Sequence, residues 1–219
     1  FTRLGKEIVM AVKAGGPDVE NKSRLRTAVQ NSKAVNMPKD RVEAAIKRAI
    51  SRDEKDYEEL VYEGYAPHGV AVLVETATDN TNRTVANVRS YFTKYNGALG
   101  KTGSLDFIFT RKAVFTFEPG DRDLEELELE LIDAGLEDLF IEADENGNDI
   151  AVIHTAFEDF GKMQKALEEI GIETKSAKLE RVPQSFHEVT EEQVADIMKL
   201  IDRLEEDDDV QAVYHNMAE

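Results

Sequence analysis

The chain has 219 residues, with 27 Lys and Arg against 45 Asp and Glu, no Cys, no Trp and a formal net charge of −18. That length suits one large domain or two to three small ones, and 41% hydrophobic residues are enough for a buried core. No run of about 18 apolar residues occurs, which excludes a helical membrane span, and the lack of Cys excludes disulfides, Cys-ligated zinc, iron–sulfur clusters and thiol nucleophiles together.

The absence of Cys favours a reducing, cytoplasmic location. The opening at Phe1, without Met or a signal-peptide pattern, leads to the expectation of a trimmed chain or an ordered fragment. Taken globally, −18 argues against a nucleic-acid partner, whose backbone is itself anionic. The charge is unevenly spread, however. Residues 1–55 carry 13 basic and 7 acidic side chains, a net of +6, and the remainder carries −24. Such asymmetry suggests a basic module joined to acidic ones.

Residues 1–55 read as three helices. The first covers about Thr2–Ala14, with Leu4, Ile8, Ala11 and Val12 at helical spacing and Gly15-Gly16-Pro17 as its stop. The second starts near Asp18–Asn21 and runs to about Val35, burying Leu25, Ala28 and Val29, with Lys22, Arg26, Gln30 and Lys33 on the opposite stripe. The third starts at Pro38 and buries Val42, Ala45, Ile46 and Ala49. From Tyr57 the pattern changes to a β-rich run, Val70–Thr76, then a turn-rich segment, 78–84, and a helix over about Thr84–Tyr95. A glycine-rich loop, Asn96–Ser104, leads to an expected strand, Leu105–Phe109.

The next 70 residues or so form a complete series: strand Ala113–Phe117, helix Leu124–Ala134, strand Leu139–Ala143, an Asn-Gly hairpin turn, strand Ile150–His154, helix Phe157–Ile170 and strand Thr174–Arg181. This β-α-β-β-α-β order is ferredoxin-like. A helix, Glu191–Glu205, and a short strand, Val210–His215, follow without a sheet of their own and are expected to return to the 57–112 unit. The expected fold is therefore α+β with three domains. These are a basic helical domain over 1–55, a discontinuous α+β domain over 56–112 plus 183–219, and an inserted ferredoxin-like domain over 113–182.

Enzyme chemistry finds no positive case. Gly100-Lys101-Thr102 lacks the earlier glycine of a phosphate loop, since Tyr95 stands there, and lies between a helix and a strand in the wrong order. His68, His154, His187 and His215 show no zinc-protease spacing, and the acidic run Glu205–Asp209 reads as a solvated helix end. No cofactor and no metal are expected.

Binding chemistry has two candidates. Arg3, Lys6, Lys13, Lys22, Arg24, Arg26, Lys33, Lys39, Arg41, Lys47 and Arg48 are a supply of cations able to neutralise phosphates and release counterions. Solvated Lys and Arg on helix faces explain the same composition. Asn80, Asn82 and Arg83, at the start of a helix, are placed to bind an anion with the first-turn N–H groups; helix capping alone also explains them.

Several segments together resemble one family. They are Phe1-Thr2-Arg3-Leu4 with Lys6-Glu7-Ile8, Gly15-Gly16-Pro17-Asp18 leading to Arg24-Leu25-Arg26, Asn36-Met37-Pro38-Lys39-Asp40 and Tyr62-Glu63-Gly64-Tyr65. Thr78-Asp79-Asn80, Asn82-Arg83-Thr84, the glycines from Gly97 to Gly103, and Leu204-Glu205 with Asp208-Asp209-Val210 follow in order. The chain thereby resembles the YebC family, which includes bacterial transcriptional regulators and mitochondrial translational activators. The resemblance implies the three-domain α+β fold and nucleic-acid-linked regulation without catalysis. The family's usual Gly-Pro-Gly-Gly stretch reads Ala66-Pro67-His68-Gly69 here, and a basic segment normally precedes the position of Phe1. The expected function is a cytoplasmic transcriptional regulator binding DNA through residues 1–55. The alternatives are contact with ribosomal RNA through the same helices plus Asn80–Arg83, and a protein adaptor working through its acidic ferredoxin-like part. The acidic domains are expected to space, to form a homodimer or to engage protein partners.

Overall fold

The computed structural model describes residues 1–17, 23–51 and 54–218. The expected start of the second helix at 18–21, and Lys22, lie outside the described residues. Helices α1 (Thr2–Gly15), α2 (Ser23–Ala34) and α3 (Lys39–Ile50) open the chain. Pro38 accepts at its carbonyl from Arg41 and Val42 N–H, so it stands just ahead of α3. Two four-stranded antiparallel sheets follow, and the chain divides into two compact units.

One unit comprises Thr2–Ala14, Ala45–Thr110 and Val182–Glu219. Its sheet contains β1 (Glu58–Tyr65), β2 (Ala71–Thr78), β3 (Ala98–Leu99) and β8 (Val210–His215), in the order β3-β1-β2-β8. β2 is central and buried along almost its whole length, which explains its near-continuous apolar reading. Helices α4 (Thr81–Lys94) and α7 (Glu191–Glu205) cover one face, enclosing Val72, Val74, Val88, Phe92, Ile197, Leu200 and Leu204. Ala71, Leu73, Leu105, Ile108 and Phe109 form a second cluster.

The expected strand Leu105–Phe109 is not a strand over most of its length. Residues 102–108 are turns, and β4 runs from Phe109 to Phe117. Leu105 and Ile108 are buried from a turn instead of a ladder, while Phe107 between them is exposed. The glycines of this region answer to close approach. A Cβ on Gly64 would stand 2.5 Å from the Ala98 carbonyl, and one on Gly97 would stand 2.5 Å from the Tyr65 carbonyl. Glu63, 2% exposed, holds the loop by accepting from Gly103 N–H at its carboxylate and from Gly100 N–H at its carbonyl, 2.8 Å.

The other unit comprises Phe1, Gly15–Ala44 and Arg111–Arg181. Strands β4, β5 (Leu136–Ala143), β6 (Asp149–Ala156) and β7 (Ser176–Pro183) form the sheet β5-β6-β4-β7, the ferredoxin-like order. α5 (Leu124–Leu131) and α6 (Phe160–Ile170) enclose Phe115, Phe117, Leu131, Ile153, Met163 and Leu167 against it. Phe115 and Phe160 stack at 5.0 Å. Each such fully buried side chain contributes about 1.5–3 kcal/mol. The β5–β6 hairpin turns through Glu145–Asn148 with Asn-Gly at its centre, as expected, and is longer than a two-residue turn. Only Gly147 has a positive φ, and the turn closes through Asp144 N–H to the Asn148 carbonyl while the Asp144 carboxylate caps Asn146 and Asn148 N–H.

Candidate nucleic-acid interface

The cations of α1 point into their own unit. Lys6 is only 7% exposed, and its ammonium donates to the carbonyls of Ala77 (2.9 Å) and Asp208 (2.6 Å). Burial pushes its pKa below the usual lysine value, against the pull of Asp209, Asp208 and Asp79. Arg3 donates to the Glu205 carbonyl, and Lys13 to the Glu54 carbonyl (2.9 Å) and Asp56 carboxylate (2.8 Å).

Asn80 caps α4, its side chain accepting from Arg83 N–H at 3.1 Å, and Asn82 is exposed. The Arg83 guanidinium is clasped by two carboxylates. It donates twice to Asp209, at 3.1 and 2.8 Å, and once to Asp79, at 2.9 Å. These hydrogen bonds raise its pKa further above the arginine value. Thr84 donates its hydroxyl proton toward Asp209 at 2.8 Å and also lies 2.7 Å from the Thr78 hydroxyl. For Asp209, burial pushes the pKa up, but the Arg83 and Thr84 hydrogen bonds outweigh it and hold the carboxyl below the usual Asp value.

The reading of Glu205–Asp209 as a solvated helix end therefore needs correcting. Glu205, Glu206 and Asp208 are exposed, but Asp209 is 6% exposed and Asp207 accepts from the Tyr91 hydroxyl at 2.7 Å. The acids at the end of the run are drawn in because the chain turns from α7 into β8 there.

In the ferredoxin-like unit, Arg24 and Lys33 are exposed on α2, and Arg26 meets Glu168 at 3.3 Å. Lys39 lies 3.8 Å from Glu43, and Arg41 lies over the Phe1 ring at 5.5 Å. In the other unit, Lys47 is exposed and Arg48 meets Glu54 at 3.4 Å. Gln30, on the expected polar stripe, instead donates to Thr174 at 3.3 Å.

The histidines are less scattered than their spacing suggests. His187 lies 2.7 Å from the His68 carbonyl, His68 lies 2.9 Å from Asp196, and His215 accepts from Met217 N–H beside the His187–Met217 bridge. His68 takes φ +69°, which glycine would adopt freely. Among the described residues, no group of three or more potential ligands is disposed to hold a metal, and no helix is long and apolar enough to cross a membrane.

Two family models divide the chain between them. The TACO1/YebC protein N-terminal domain matches residues 1–52, and the TACO1/YebC second and third domain matches 57–217. The chain belongs to the TACO1/YebC family. A probable transcriptional regulatory protein of Cytophaga hutchinsonii is 60% identical over 219 residues, covering 100% of this chain and 90% of that one. A similarly named protein of Myxococcus xanthus is 51% identical over 218 residues, covering 100% and 91%. The crystal structure of a conserved hypothetical protein from Aquifex aeolicus superposes with a TM-score of 0.85 at 38% identity, covering all of this chain and 88% of the other.

Within this family fold, Asp209, Thr84, Thr78 and Glu63 are the polar residues that composition and spacing passed over. The Asp79–Arg83 spacing of four was one sequence signal, and the segments that carry the family resemblance contain all four residues. Nothing local pointed to Asp209, which lies 126 residues from Arg83.

Proposed function

We propose that this family member is a cytoplasmic, non-enzymatic transcriptional regulator that binds DNA through its basic segment, residues 1–55, taken as a domain distinct from 56–112 plus 183–219 and from 113–182. The supporting observation is the division of labour among its cations. Arg3, Lys6 and Lys13 are committed to contacts inside the fold, whereas Arg24, Lys33, Lys39, Arg41 and Lys47 on α2 and α3 are exposed. Exposed Lys and Arg at helix surfaces recognise phosphate backbone without reading bases. The relatives' names point the same way. Arg83 serves this reading as the clamp that fixes the start of α4, with its charge already taken by Asp209 and Asp79.

The test is duplex binding by the full chain against salt. Affinity falls steeply as salt rises, and Lys33→Glu with Lys47→Glu flattens the log–log slope by about 2. An unchanged slope in that variant refutes the reading. If the same two substitutions abolish binding to ribosomal RNA while duplex DNA is ignored, the partner is RNA.

A further inference from the structure

The ferredoxin-like sheet has two outer strands, and they are treated differently. At β7, Asn31 of α2 acts as a substitute strand: its amide donates to the Ala177 carbonyl and its oxygen accepts from Ala177 N–H, both at 2.9 Å. At β5, β6 is the one strand neighbour among the described residues. Half of the backbone N–H and C=O groups of an edge strand point away from its neighbour and are available to a further strand. β5 is eight residues long and contains no Pro or Gly, and Ile141 is 41% exposed on it.

The side chains along this edge specify what fits. From Asp138 the pairing with β6 is regular, so Asp138, Phe140 and Glu142 share the face away from the helices, where Phe140 meets the His154 ring at 5.1 Å. Leu139 and Ile141 share the opposite face, with Leu139 on the helix-covered core. One face thus reads acid–aromatic–acid and the other apolar–apolar. Lys112, on β4, is already paired with Glu137 at 2.7 Å. Acids on an edge strand repel a second copy of the same edge, because carboxylates then face carboxylates. They attract an edge of opposite sign.

We propose that β5 is a docking edge for an extended basic segment of a protein partner, added as a fifth strand with Lys or Arg alternating with apolar residues. Its basic side chains lie along Asp138 and Glu142, and its apolar ones continue the Leu139–Ile141 row. This surface lies in 113–182 and does not depend on nucleic-acid binding by residues 1–55.

The test uses the full chain and a labelled peptide of alternating lysine and valine long enough to span β5, with binding read by anisotropy and location by amide hydrogen exchange. The expected result is binding that slows exchange within 136–143. Asp138→Lys with Glu142→Lys weakens it by about tenfold or more and transfers preference to a second labelled peptide of the same length, alternating glutamate and valine, with thermal unfolding unchanged because both residues are exposed. A peptide of the same charge, N-methylated at alternate backbone nitrogens, fails to bind. Equal binding of the methylated peptide, protection outside β5, or concentration-dependent protection of β5 without peptide, which would identify a second copy as the occupant, each overturns the proposal.

Discussion

A lysine or arginine counted in a sequence is not yet a charge on a surface. Lys6 and Arg83 both belong to segments that composition marks for phosphate binding, yet one is buried between two carbonyls and the other is held by two carboxylates. Asp79 is four residues from Arg83, but the other partners lie 71 to 202 residues away along the chain, which no local pattern encodes. Asp209 is the centre of this arrangement, and its folded pKa is depressed. A depressed carboxyl stabilises the fold fully above the ordinary Asp value of about 3.9 and loses that contribution as pH falls through the lower folded value. Asp209→Asn keeps the shape but removes the charge opposite Arg83, at a cost of about 2–3 kcal/mol near neutral pH. Urea unfolding from neutral pH to pH 3 should show the difference between wild type and variant constant at first, then shrinking in acid. A difference independent of pH would mean that the charge contributes nothing.

Elements were legible where local chemistry and tertiary context agree. Glu191–Glu205 and Val210–His215 match α7 and β8 at both ends, because α7 carries a Thr190–Gln193 capping box and β8 an apolar run. The six-element ferredoxin-like order was legible because its strands and helices alternate with clear turns. β1 was not, because Glu58-Glu59 and Glu63-Gly64 break its apolar alternation. Glu63 sits there to hold the glycine loop, and Gly64 to let Ala98 approach. α2 was legible as a helix burying Leu25 and Ala28, but the rest of its attachment was not, since that rests on polar side chains: Asn31 to Ala177, Gln164 to Thr27 at 2.9 Å, and Gln30 to Thr174. Asn31→Ala leaves both backbone groups of Ala177, a residue 3% exposed, without that partner. The expected loss is about 1–3 kcal/mol, with faster amide exchange at Ala177 and little change in α7 or β8. Unchanged exchange at Ala177 would show that the β7 edge is closed by something other than Asn31.

At the scale of the molecule, two opposite charge statements share one chain, +6 over residues 1–55 and −24 over the rest. They predict opposite responses to salt. Binding of an anionic duplex by exposed cations weakens as counterions compete. Folding stability should move the other way, because a strongly acidic chain repels itself in the compact state and salt screens that repulsion. The ion pairs that salt also screens are mostly exposed surface pairs, such as Lys39–Glu43 and Lys175–Glu118, each worth about 0–1 kcal/mol. On α5 and β5, Glu125, Glu126, Glu128, Glu130 and Glu142 are exposed close together along the chain and add to the acidic surplus. Thermal unfolding of the full chain should therefore rise by a few degrees as sodium chloride goes from about 0.02 to about 0.2 M, a range over which the Debye length shrinks about threefold. Over the same range duplex affinity should fall. A melting temperature that drops with salt would show that attractive pairs, and not the acidic surplus, dominate the electrostatics of the fold.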